Sequence, residues 1–395
     1  MTNADAVAAG HRFLTPNYKQ QPIALARGEG LYVWDADGRR YLDMLGGIAT
    51  CALGHCHPEV KAAVRAQLDL IWHTSNGVYN LPSLALAERL TRLSFGKRVF
   101  FCNSGTEANE AAIKLARRFH FAAGHPERVE IVCAHGSFHG RTLGALAATG
   151  QPKYHQGIGP LPPGFVFVPH GDPAALRQAV GSQTAAVLIE AIQGEGGVRM
   201  APKGYLAELR KVCDAAGALW LADEVQTGMG RTGSLWAYEH EGVTPDVMTL
   251  AKALGNGLPV GAMVASEKVG EALTPGTHAS TFGGNAVACA AACAVLDIIE
   301  RDNLLESCRH SGEYLAGRLH EVKRRLSGRL VEIRGRGLLW GVELDKEAAP
   351  VIARCRELGM IVNAAGERVV RFAPALLVEP AQLDEAADIL QRALA

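Results

Sequence analysis

The chain has 395 residues, 48% of them hydrophobic and 20% charged, and its 40 acidic side chains balance 40 basic ones. That length exceeds a usual single core, so two domains are expected, while the balanced charge argues against nucleic acid or an anionic membrane as a partner. The nine cysteines form no Cys-x-x-Cys pair, which favours reduced thiols in a cytoplasmic protein over a disulfide framework. The first residues, Met1 to Asp5, lack the basic start and apolar core of an export signal.

A hairpin is the first element that the sequence predicts. Strands at Leu31–Asp35 and Arg40–Met44 flank Ala36-Asp37-Gly38, in which the glycine supplies the positive φ of a tight turn. From about residue 50 to about residue 295, short apolar runs alternate with helical patterns, which is typical of βα units and a mainly parallel sheet. The strands predicted in this region are Val99–Phe101, Glu130–Cys133, Phe165–Val168, Ala185–Ile189, Ala218–Ala222, Val247–Leu250 and Gly261–Ala265.

The last quarter of the chain carries strand and helix signals on a smaller scale. A long helical region, Val287–Leu319, precedes strand pairs at Leu330–Leu344 and Met360–Phe372. A final amphipathic helix begins at about Pro380, where apolar residues recur on one face.

These elements predict an α/β protein with two domains. We expect a large domain over residues 51–295 and a small α/β domain built from residues 1–50 and 296–395. The uncharged stretch at roughly Thr281 to Leu296 is too short to span a bilayer and is rich in Gly, Ala and Cys. It is therefore predicted to be a tightly packed internal helix.

Lys252 is the most informative residue of the chain. It ends an apolar run and opens into a glycine loop, and a second apolar run ends at Asp223, 29 residues earlier. Pyridoxal phosphate requires an amine and a carboxylate at neighbouring strand ends, because the amine joins its aldehyde and the carboxylate keeps its pyridine nitrogen protonated. The pair predicts a pyridoxal-phosphate enzyme in which Lys252 and Asp223 are catalytic.

A third strand end supplies a candidate phosphate cradle. Ser104, Gly105 and Thr106 follow the first predicted strand of the large domain and begin a helix, whose unpaired N–H groups and dipole suit a dianion. The hydroxyl groups of Ser104 and Thr106 are expected to assist. Taken alone, such residues are more often an ordinary helix cap. Their position at a strand end, in register with Lys252, favours the phosphate site.

Further strand ends carry polar or glycine-rich segments at residues 136–141 and 190–197. Ligands of open α/β sheets bind outside the carboxyl ends of the strands, so these segments are expected to meet in one pocket with the others. Phe138 and Val225 are predicted to sandwich the pyridine ring, and Gln226 to contact its phenolic oxygen. The convergence is a stronger signal than any single motif.

Several longer motifs resemble the class III (subgroup II) pyridoxal-phosphate-dependent aminotransferases, and the similarity runs nearly end to end. They are Gly-His-Cys-His-Pro (54–58), Asn-Ser-Gly-Thr-Glu-Ala-Asn-Glu (103–110), Phe-His-Gly-Arg-Thr (138–142), Gln-Gly-Glu-Gly-Gly (193–197), the segments 221–233 and 250–254, Ser-Thr-Phe-Gly-Gly-Asn (280–285) and Arg-Phe-Ala-Pro (371–374). Within that class, the acetylornithine aminotransferase group is the most similar. The resemblance implies a fold-type I transferase, with a mainly parallel seven-stranded sheet flanked by helices, and a homodimer with active sites at the subunit interface.

The same resemblance implies roles for individual residues in the cofactor site. Ser280 and Thr281 are expected to reach the site of the other subunit, Thr281 at the phosphate and Ser280 toward the substrate. His139 joins the expected cofactor contacts, and Tyr18 is expected to bind substrate.

Two arginines and one glutamate complete the implied substrate site. Family members use Arg141 for the carboxylate of acetylornithine and Arg371 for glutamate, while Glu195 resembles a gate that pairs with Arg371. Two arginines suit two differently shaped amino donors, because a guanidinium fork binds a planar carboxylate in each binding mode.

The implied reaction moves the terminal amine of N2-acetylornithine to 2-oxoglutarate, giving N-acetylglutamate 5-semialdehyde and glutamate, a step of arginine biosynthesis. Ile48 and His139 stand where ornithine aminotransferases typically carry Tyr and Trp, which weakens free ornithine as a substrate. Succinylornithine, N-succinyldiaminopimelate and 4-aminobutyrate remain alternative donors.

Two interpretations from other classes also remain open. His55, Cys56 and His57, with Cys51 nearby, have zinc-compatible spacing, but no second ligand pair follows at zinc-site spacing, so no metal is expected. A pyridoxal-phosphate binding protein without catalytic activity is the other. Bleaching of a yellow protein by hydroxylamine would exclude the first, and turnover with glutamate would exclude the second.

Overall fold

The computed structural model describes residues 1–326 and 328–395. Numbered in chain order, the strands are β1 (Leu25–Glu29), β2 (Tyr32–Asp35), β3 (Arg40–Asp43), β4 (Arg98–Cys102), β5 (Glu130–Ala134), β6 (Phe165–Val168), β7 (Thr184–Ile189), β8 (Ile192–Gln193), β9 (Arg199–Met200), β10 (Leu219–Asp223), β11 (Val247–Leu250), β12 (Gly261–Ala265), β13 (Leu330–Arg336), β14 (Leu339–Leu344), β15 (Met360–Ile361), β16 (Asn363–Ala364) and β17 (Val369–Phe372).

Helices separate most of these strands. The α-helices are α1 (Asn3–Phe13), α2 (Gly46–Ala49), α3 (Pro58–Leu68), α4 (Leu81–Arg92), α5 (Gly105–Ala122), α6 (Leu143–Ala148), α7 (Pro173–Ala179), α8 (Tyr205–Ala216), α9 (Glu267–Gly270), α10 (Ala286–Arg301), α11 (Leu304–Arg325), α12 (Ala348–Glu357) and α13 (Pro380–Leu394). Short 3₁₀ turns lie at Pro152–Tyr154, Ala237–Glu241 and Lys252–Gly255.

Seven strands form the central sheet, in the order β4-β12-β11-β10-β7-β5-β6. The neighbours from β11 to β6 pair parallel, whereas β12 runs antiparallel to both β11 and β4. These are the seven strands predicted from the sequence, each within one residue of its predicted ends. The prediction of an α/β fold with a mainly parallel seven-stranded sheet is confirmed.

Helices cover both faces of this sheet, so its central strands are buried on both sides. Side chains alternate across β10, so that Trp220 and Ala222 join one hydrophobic core while Leu219 and Leu221 join another. The second core includes the buried face of α5, and the first extends to α10, α11 and α13. Parallel strands that are covered on both faces consist of continuous apolar runs, which made them easy to locate in the sequence.

Two four-stranded sheets lie beside the central one. The sheet β1-β2-β3-β15 joins the N-terminal hairpin to the last quarter of the chain through parallel pairing of Leu42 with Met360. The sheet β13-β14-β17-β16 is antiparallel and contains strands from the last quarter only. This pairing supports a small unit built from both ends of the chain, whereas domain boundaries near residues 50 and 295 stay predictions.

The sequence patterns missed α1 and β1 and did not resolve two breaks. No residue of α1 is buried, so this helix carries no apolar periodicity. The helical region predicted over Val287–Leu319 divides at Asn303, whose φ of 49° interrupts the helix between α10 and α11. Met360–Phe372 is not a single strand pair, because β15 pairs with β3 while β16 pairs with β17.

The uncharged stretch at roughly Thr281 to Leu296 contributes most of α10. This helix has nine buried residues and packs against α3 and α4, as expected of an internal helix. Within residues 1–326 and 328–395, no helix combines the length and the apolar character needed to cross a membrane.

Candidate active site

The carboxyl ends of the central strands open into one cavity of about 390 Å³. Side chains that follow β4, β5, β7, β10 and β11 all line it. The predicted site residues that line this cavity are Ser104, Gly105, Thr106, Phe138, His139, Arg141, Asp223, Val225, Gln226 and Lys252. The structure therefore brings the amine of Lys252 and the carboxylate of Asp223 into the same site.

Asp223, the last residue of β10, is held by three hydrogen-bond donors. Val225 N donates to Oδ1 at 3.0 Å, while Asn109 Nδ2 and His139 Nδ1 each donate to Oδ2 at 2.8 Å. A carboxylate offers about four acceptor sites, so about one remains for a donor in the cavity. His139 was predicted to contact the cofactor, and the structure shows that its Nδ1 supports the Asp223 carboxylate.

Lys252 opens a 3₁₀ turn just after β11, with a left-handed φ of 45°. It shares the cavity with Asp223 because β10 and β11 are parallel neighbours, in which Asp223 pairs with Thr249. Burial lowers the pKa of the Lys252 amine, an effect that the charge of Glu195 opposes and that of Arg371 reinforces. A lowered pKa increases the fraction of neutral, nucleophilic amine near pH 7.

The first turn of α5 has the geometry of an anion cradle. Gly105 and Thr106 are its first two residues, and N–H groups at these positions have no acceptor within a helix. The Ser104 hydroxyl caps the helix, since it accepts from Glu107 N and donates to the Glu107 carboxylate at 2.7 Å. Ser104 thus orients the cradle, while a direct contact from its hydroxyl to phosphate stays a prediction.

Gly140 allows the loop after β5 to pass directly over Thr106. The Thr106 Oγ1 accepts from Arg141 N at 3.2 Å and from Thr142 N at 3.3 Å. A Cβ on Gly140 would lie 2.1 Å from that oxygen, and the Gly140 φ of 139° is one that side chains rarely adopt. Glycine at this position therefore lets the loop approach Thr106 closely enough for its backbone N–H groups to hold the Thr106 hydroxyl in the cradle.

Gly140→Ala is expected to weaken the binding of pyridoxal phosphate by about tenfold or more, because the added methyl group must displace Thr106. The loss of one hydrogen bond to a charged group costs about 1.5–3 kcal/mol, which corresponds to this change in affinity. Titration of the apoprotein with cofactor, followed by absorbance, measures this affinity. Gly124→Ala is the matched control, since Gly124 also has a positive φ, 86°, but open space around it. Equal affinities of the two variants would contradict this role of Gly140.

Phe138 and Val225 come from different strand ends and both line the cavity. A Cβ on Gly105 would lie 2.7 Å from Val225 Cγ1, so glycine there leaves room for the valine side chain. Phe138 is held through its backbone, because its N–H donates to the Glu190 carboxylate at 3.0 Å. The placement of a flat ring between Phe138 and Val225 stays a prediction.

Arg371 is fully buried in β17 and forms the ion pair with Glu195 that the family resemblance implied. Its Nη1 also donates to Gly194 O and to Gln226 Oε1, both at 2.9 Å. Burial disfavours ionisation of Glu195, but the charges of Arg371 and Lys252 outweigh that effect and lower its pKa. Gln226 belongs to the same network, because its Nε2 donates to Glu195 at 3.3 Å.

Arg141 stands at the exposed side of the same cavity. Its guanidinium carbon lies 3.7 Å from the ring centroid of Tyr154 and 5.5 Å from that of Phe138. Within residues 1–326 and 328–395 it forms an ion pair with no carboxylate. Arg141 is thus held by aromatic rings and keeps its hydrogen-bond donors available, in contrast to Arg371.

Five predicted residues do not line the cavity: Glu195 and Arg371 adjoin it through Gln226, whereas Tyr18, Ser280 and Thr281 lie farther away. Tyr18 is 74% exposed. Ser280 borders a smaller depression with Glu107 and Lys114, and Thr281 borders another one. Their position is compatible with a contribution to the site of a second subunit, and the roles of all three stay predictions.

Asn109 and Glu190 also line the cavity. The sequence assigned no separate role to Asn109 and placed Glu190 in the pocket only as part of the segment 190–197. Burial and the charge of Asp223 raise the pKa of Glu190 well above its ordinary value. Glu190 directly follows an apolar strand, so the signal that identified Asp223 also applied to it. Asn109 lies on the buried face of a helix, where the sequence gives no comparable signal.

The residues around His55 do not have the properties of a zinc site. His55 Nε2 lies 2.8 Å from Asp43 Oδ2, and this hydrogen bond raises the pKa of His55 to about 10. A protonated imidazole cannot bind a metal. In the described parts of the chain, no group of three or more His, Cys, Asp or Glu side chains is arranged to hold a metal ion.

The cavity offers complementary groups for the reactive parts of pyridoxal phosphate. The first turn of α5 suits the phosphate, the remaining acceptor site of Asp223 suits a protonated ring nitrogen, and the Lys252 amine suits the aldehyde. His139 Nε2 is also buried without a hydrogen-bond partner in the described residues. The residues present therefore fit this cofactor.

The sheet, the cavity and these groups together define a pyridoxal-phosphate-dependent enzyme of the aminotransferase type. The chain belongs to the aminotransferase class-III family, whose sequence profile matches residues 13–394.

Individual relatives are similar over almost their whole length. The acetylornithine aminotransferase of Myxococcus xanthus is 57% identical over 96% of this chain and 94% of its own. A structure of the ornithine aminotransferase from Toxoplasma gondii, with partial occupancy of PLP at the active site, has a TM-score of 0.95 at 32% identity, covering 100% of this chain and 94% of that one. The acetylornithine aminotransferase of Elizabethkingia anophelis has a TM-score of 0.90 at 30% identity, covering 100% and 99%.

Proposed function

We propose that the chain transfers the terminal amine of N2-acetylornithine to 2-oxoglutarate, which gives N-acetylglutamate 5-semialdehyde and glutamate and serves arginine biosynthesis. The observation that carries this proposal is the contrast between two arginines: Arg141 is exposed and has no carboxylate partner among the described residues, whereas Arg371 is buried and paired with Glu195. The 57% identity to the acetylornithine aminotransferase of Myxococcus xanthus supports the choice of substrate.

The chemistry is divided between the cofactor and the side chains of the chain. Bound pyridoxal phosphate supplies an aldehyde that joins amines and a ring that accepts electrons. Lys252 holds that aldehyde between turnovers, and its neutral Nζ then accepts and returns the proton of the reacting carbon. The Asp223 carboxylate would accept from a protonated ring nitrogen, and the first turn of α5 would hold the phosphate.

The two arginines explain how one site accepts two donors. Acetylornithine carries its carboxylate far from the reacting amine, so the carboxylate reaches the donors of Arg141. Glu195 then stays on Arg371 and neutralises it, which leaves no free cation beside the terminal amine. Glutamate carries a carboxylate next to its reacting amine, and this carboxylate replaces Glu195 on Arg371.

A comparison of amino donors tests the substrate. We expect kcat/KM to be highest for acetylornithine among acetylornithine, succinylornithine, N-succinyldiaminopimelate, ornithine and 4-aminobutyrate. Arg141→Gln should lower kcat/KM for acetylornithine by about 100-fold, because a bidentate bond to a carboxylate is lost. The free amino acid alanine, used as an amino donor, is the internal control. Its only carboxylate lies beside the reacting amine, so its binding should need Arg371 and not Arg141. A preference for ornithine or 4-aminobutyrate, or an equal loss with alanine, would contradict the proposal.

A second copy of the chain is the partner that we propose. Asn76 Nδ2 donates to Ser280 O at 2.8 Å, so the loop after α3 and the segment that holds Ser280 and Thr281 form one surface. Large apolar side chains are exposed on it, with Trp72 at 63% and Phe282 at 59%. Such a patch favours a protein interface, which would bring Thr281 to the phosphate of the other subunit. A sedimentation mass of a single chain would exclude this homodimer.

We place the enzyme in the cytoplasm, because all nine cysteines are free and six of them are buried. Buried thiols in a protein without disulfides are typical of a reducing compartment. Recovery of the protein in a membrane or extracellular fraction after cell fractionation would contradict this assignment.

A further inference from the structure

Asn109 connects the three structural elements that hold the proposed cofactor groups. It is the fifth residue of α5, the helix that carries the phosphate cradle. Its Oδ1 accepts from Thr249 Oγ1 at 2.8 Å, and Thr249 lies in β11, three residues before Lys252. Its Nδ2 donates to Asp223 Oδ2 at 2.8 Å, at the end of β10.

The orientation of the Asn109 amide is fixed by its partners. Nδ2 also donates to His139 O at 2.8 Å, and both a carboxylate and a carbonyl oxygen can only accept. Nδ2 must therefore face these two oxygens, which turns Oδ1 toward Thr249. Asn109, Asp223 and Thr249 are buried and every polar atom of the Asn109 side chain has a partner, so the network has one arrangement.

We propose that Asn109 is a positioning residue that fixes the Asp223 carboxylate for the ring nitrogen of the cofactor and couples it to α5 and β11. Without the Asn109 donor, Asp223 Oδ2 retains its hydrogen bond from His139 but loses the other one. The Asp223 carboxylate is then freer to rotate away from the cavity. The charged and titratable groups that line the cavity with Asp223 are His139, Arg141, Glu190 and Lys252. The proposal depends on the pyridoxal-phosphate site and is independent of which amino donor the enzyme uses.

Asn109→Ala removes the network, and Thr249→Val removes only the hydroxyl that orients the amide. For Asn109→Ala we expect the affinity of the apoprotein for pyridoxal phosphate to fall by about tenfold to 100-fold. The visible absorbance of the bound cofactor depends on whether the nitrogen that joins Lys252 to the cofactor carries a proton. The pH midpoint of this absorbance should rise, because a ring nitrogen that is less firmly protonated withdraws fewer electrons and so raises the pKa of the joining nitrogen. Thr249→Val should change both quantities in the same direction by a smaller factor. For both variants kcat should fall while KM for the amino donor stays within about twofold.

A purely structural role of Asn109 predicts a different set of results. It would lower the melting temperature of Asn109→Ala and leave the cofactor affinity and the absorbance midpoint of the folded protein unchanged, and that outcome would overturn the proposal. Asn109→Ala could fail to fold, in which case Thr249→Val decides alone, because valine has nearly the shape of threonine. Unchanged affinity and an unchanged midpoint in a folded Thr249→Val would then reject the coupling.

Discussion

Lys252→Ala will abolish steady-state transamination, with a loss of about 10⁴-fold or more, while the folded protein still binds pyridoxal phosphate. The loss is large because one side chain supplies both the covalent attachment and the proton transfer, and general acid–base catalysis alone contributes about 10²–10⁴-fold. Binding persists because the α5 cradle and the three-donor support of Asp223 do not involve this amine. Activity with acetylornithine and absorbance of the bound cofactor measure the two effects.

Lys211→Ala is the matched control for this substitution. Lys211 is 73% exposed and pairs with Glu208 at the surface, so its removal should leave activity unchanged. Borohydride reduction adds a second readout, since it should fix the cofactor to the parent chain and to Lys211→Ala but not to Lys252→Ala. Retention of full turnover by Lys252→Ala would end the assignment of this residue, and covalent fixation in that variant would show that another amine holds the cofactor.

The central sheet was predictable because its burial is uniform. Every residue of β7, β10, β11 and β12 is buried, so each strand is a short apolar run with clear ends. The small sheets were less predictable, since pairing of β15 with β3 joins residues about 318 positions apart and depends on tertiary contact alone. The exposed helix α1 leaves no hydrophobic pattern, and packing of the chain ends is required to place it.

The cavity was predictable to the extent that its residues follow strands. Topology places the residues after β10 and β11 side by side, which identified Asp223 and Lys252 without knowledge of side-chain positions. Asn109 could not be identified from the sequence, because its proposed role depends on the orientation of its side-chain amide. The sequence does not show that this amide points to Asp223 rather than to solvent. The family resemblance assigned His139 to the cofactor but did not show that its Nδ1 lies 2.8 Å from the Asp223 carboxylate, and a contact between His139 and the cofactor stays a prediction.

Asp223→Ala is expected to slow proton removal from the amino donor by about 10³-fold, the scale of losing one preorganised electrostatic group in a buried site. The carboxylate keeps the ring nitrogen protonated, and each pKa unit of that effect corresponds to about 1.36 kcal/mol. Single-turnover absorbance with acetylornithine measures the step directly. A larger deuterium isotope effect from the labelled reacting carbon should accompany the loss, because proton transfer then limits the rate more completely.

Two further variants separate the charge of Asp223 from its place in the structure. Asp223→Asn keeps the shape but removes the charge, so it should lose nearly as much activity as Asp223→Ala, with a smaller drop in melting temperature. Asp223→Glu keeps the charge, although the longer side chain displaces it from the donors Asn109 and His139, and it should recover part of the rate. If Asp223→Asn retained a rate within tenfold of the parent, the negative charge would not be what activates the ring, and the three donors around Asp223 would serve only to hold β10 in place.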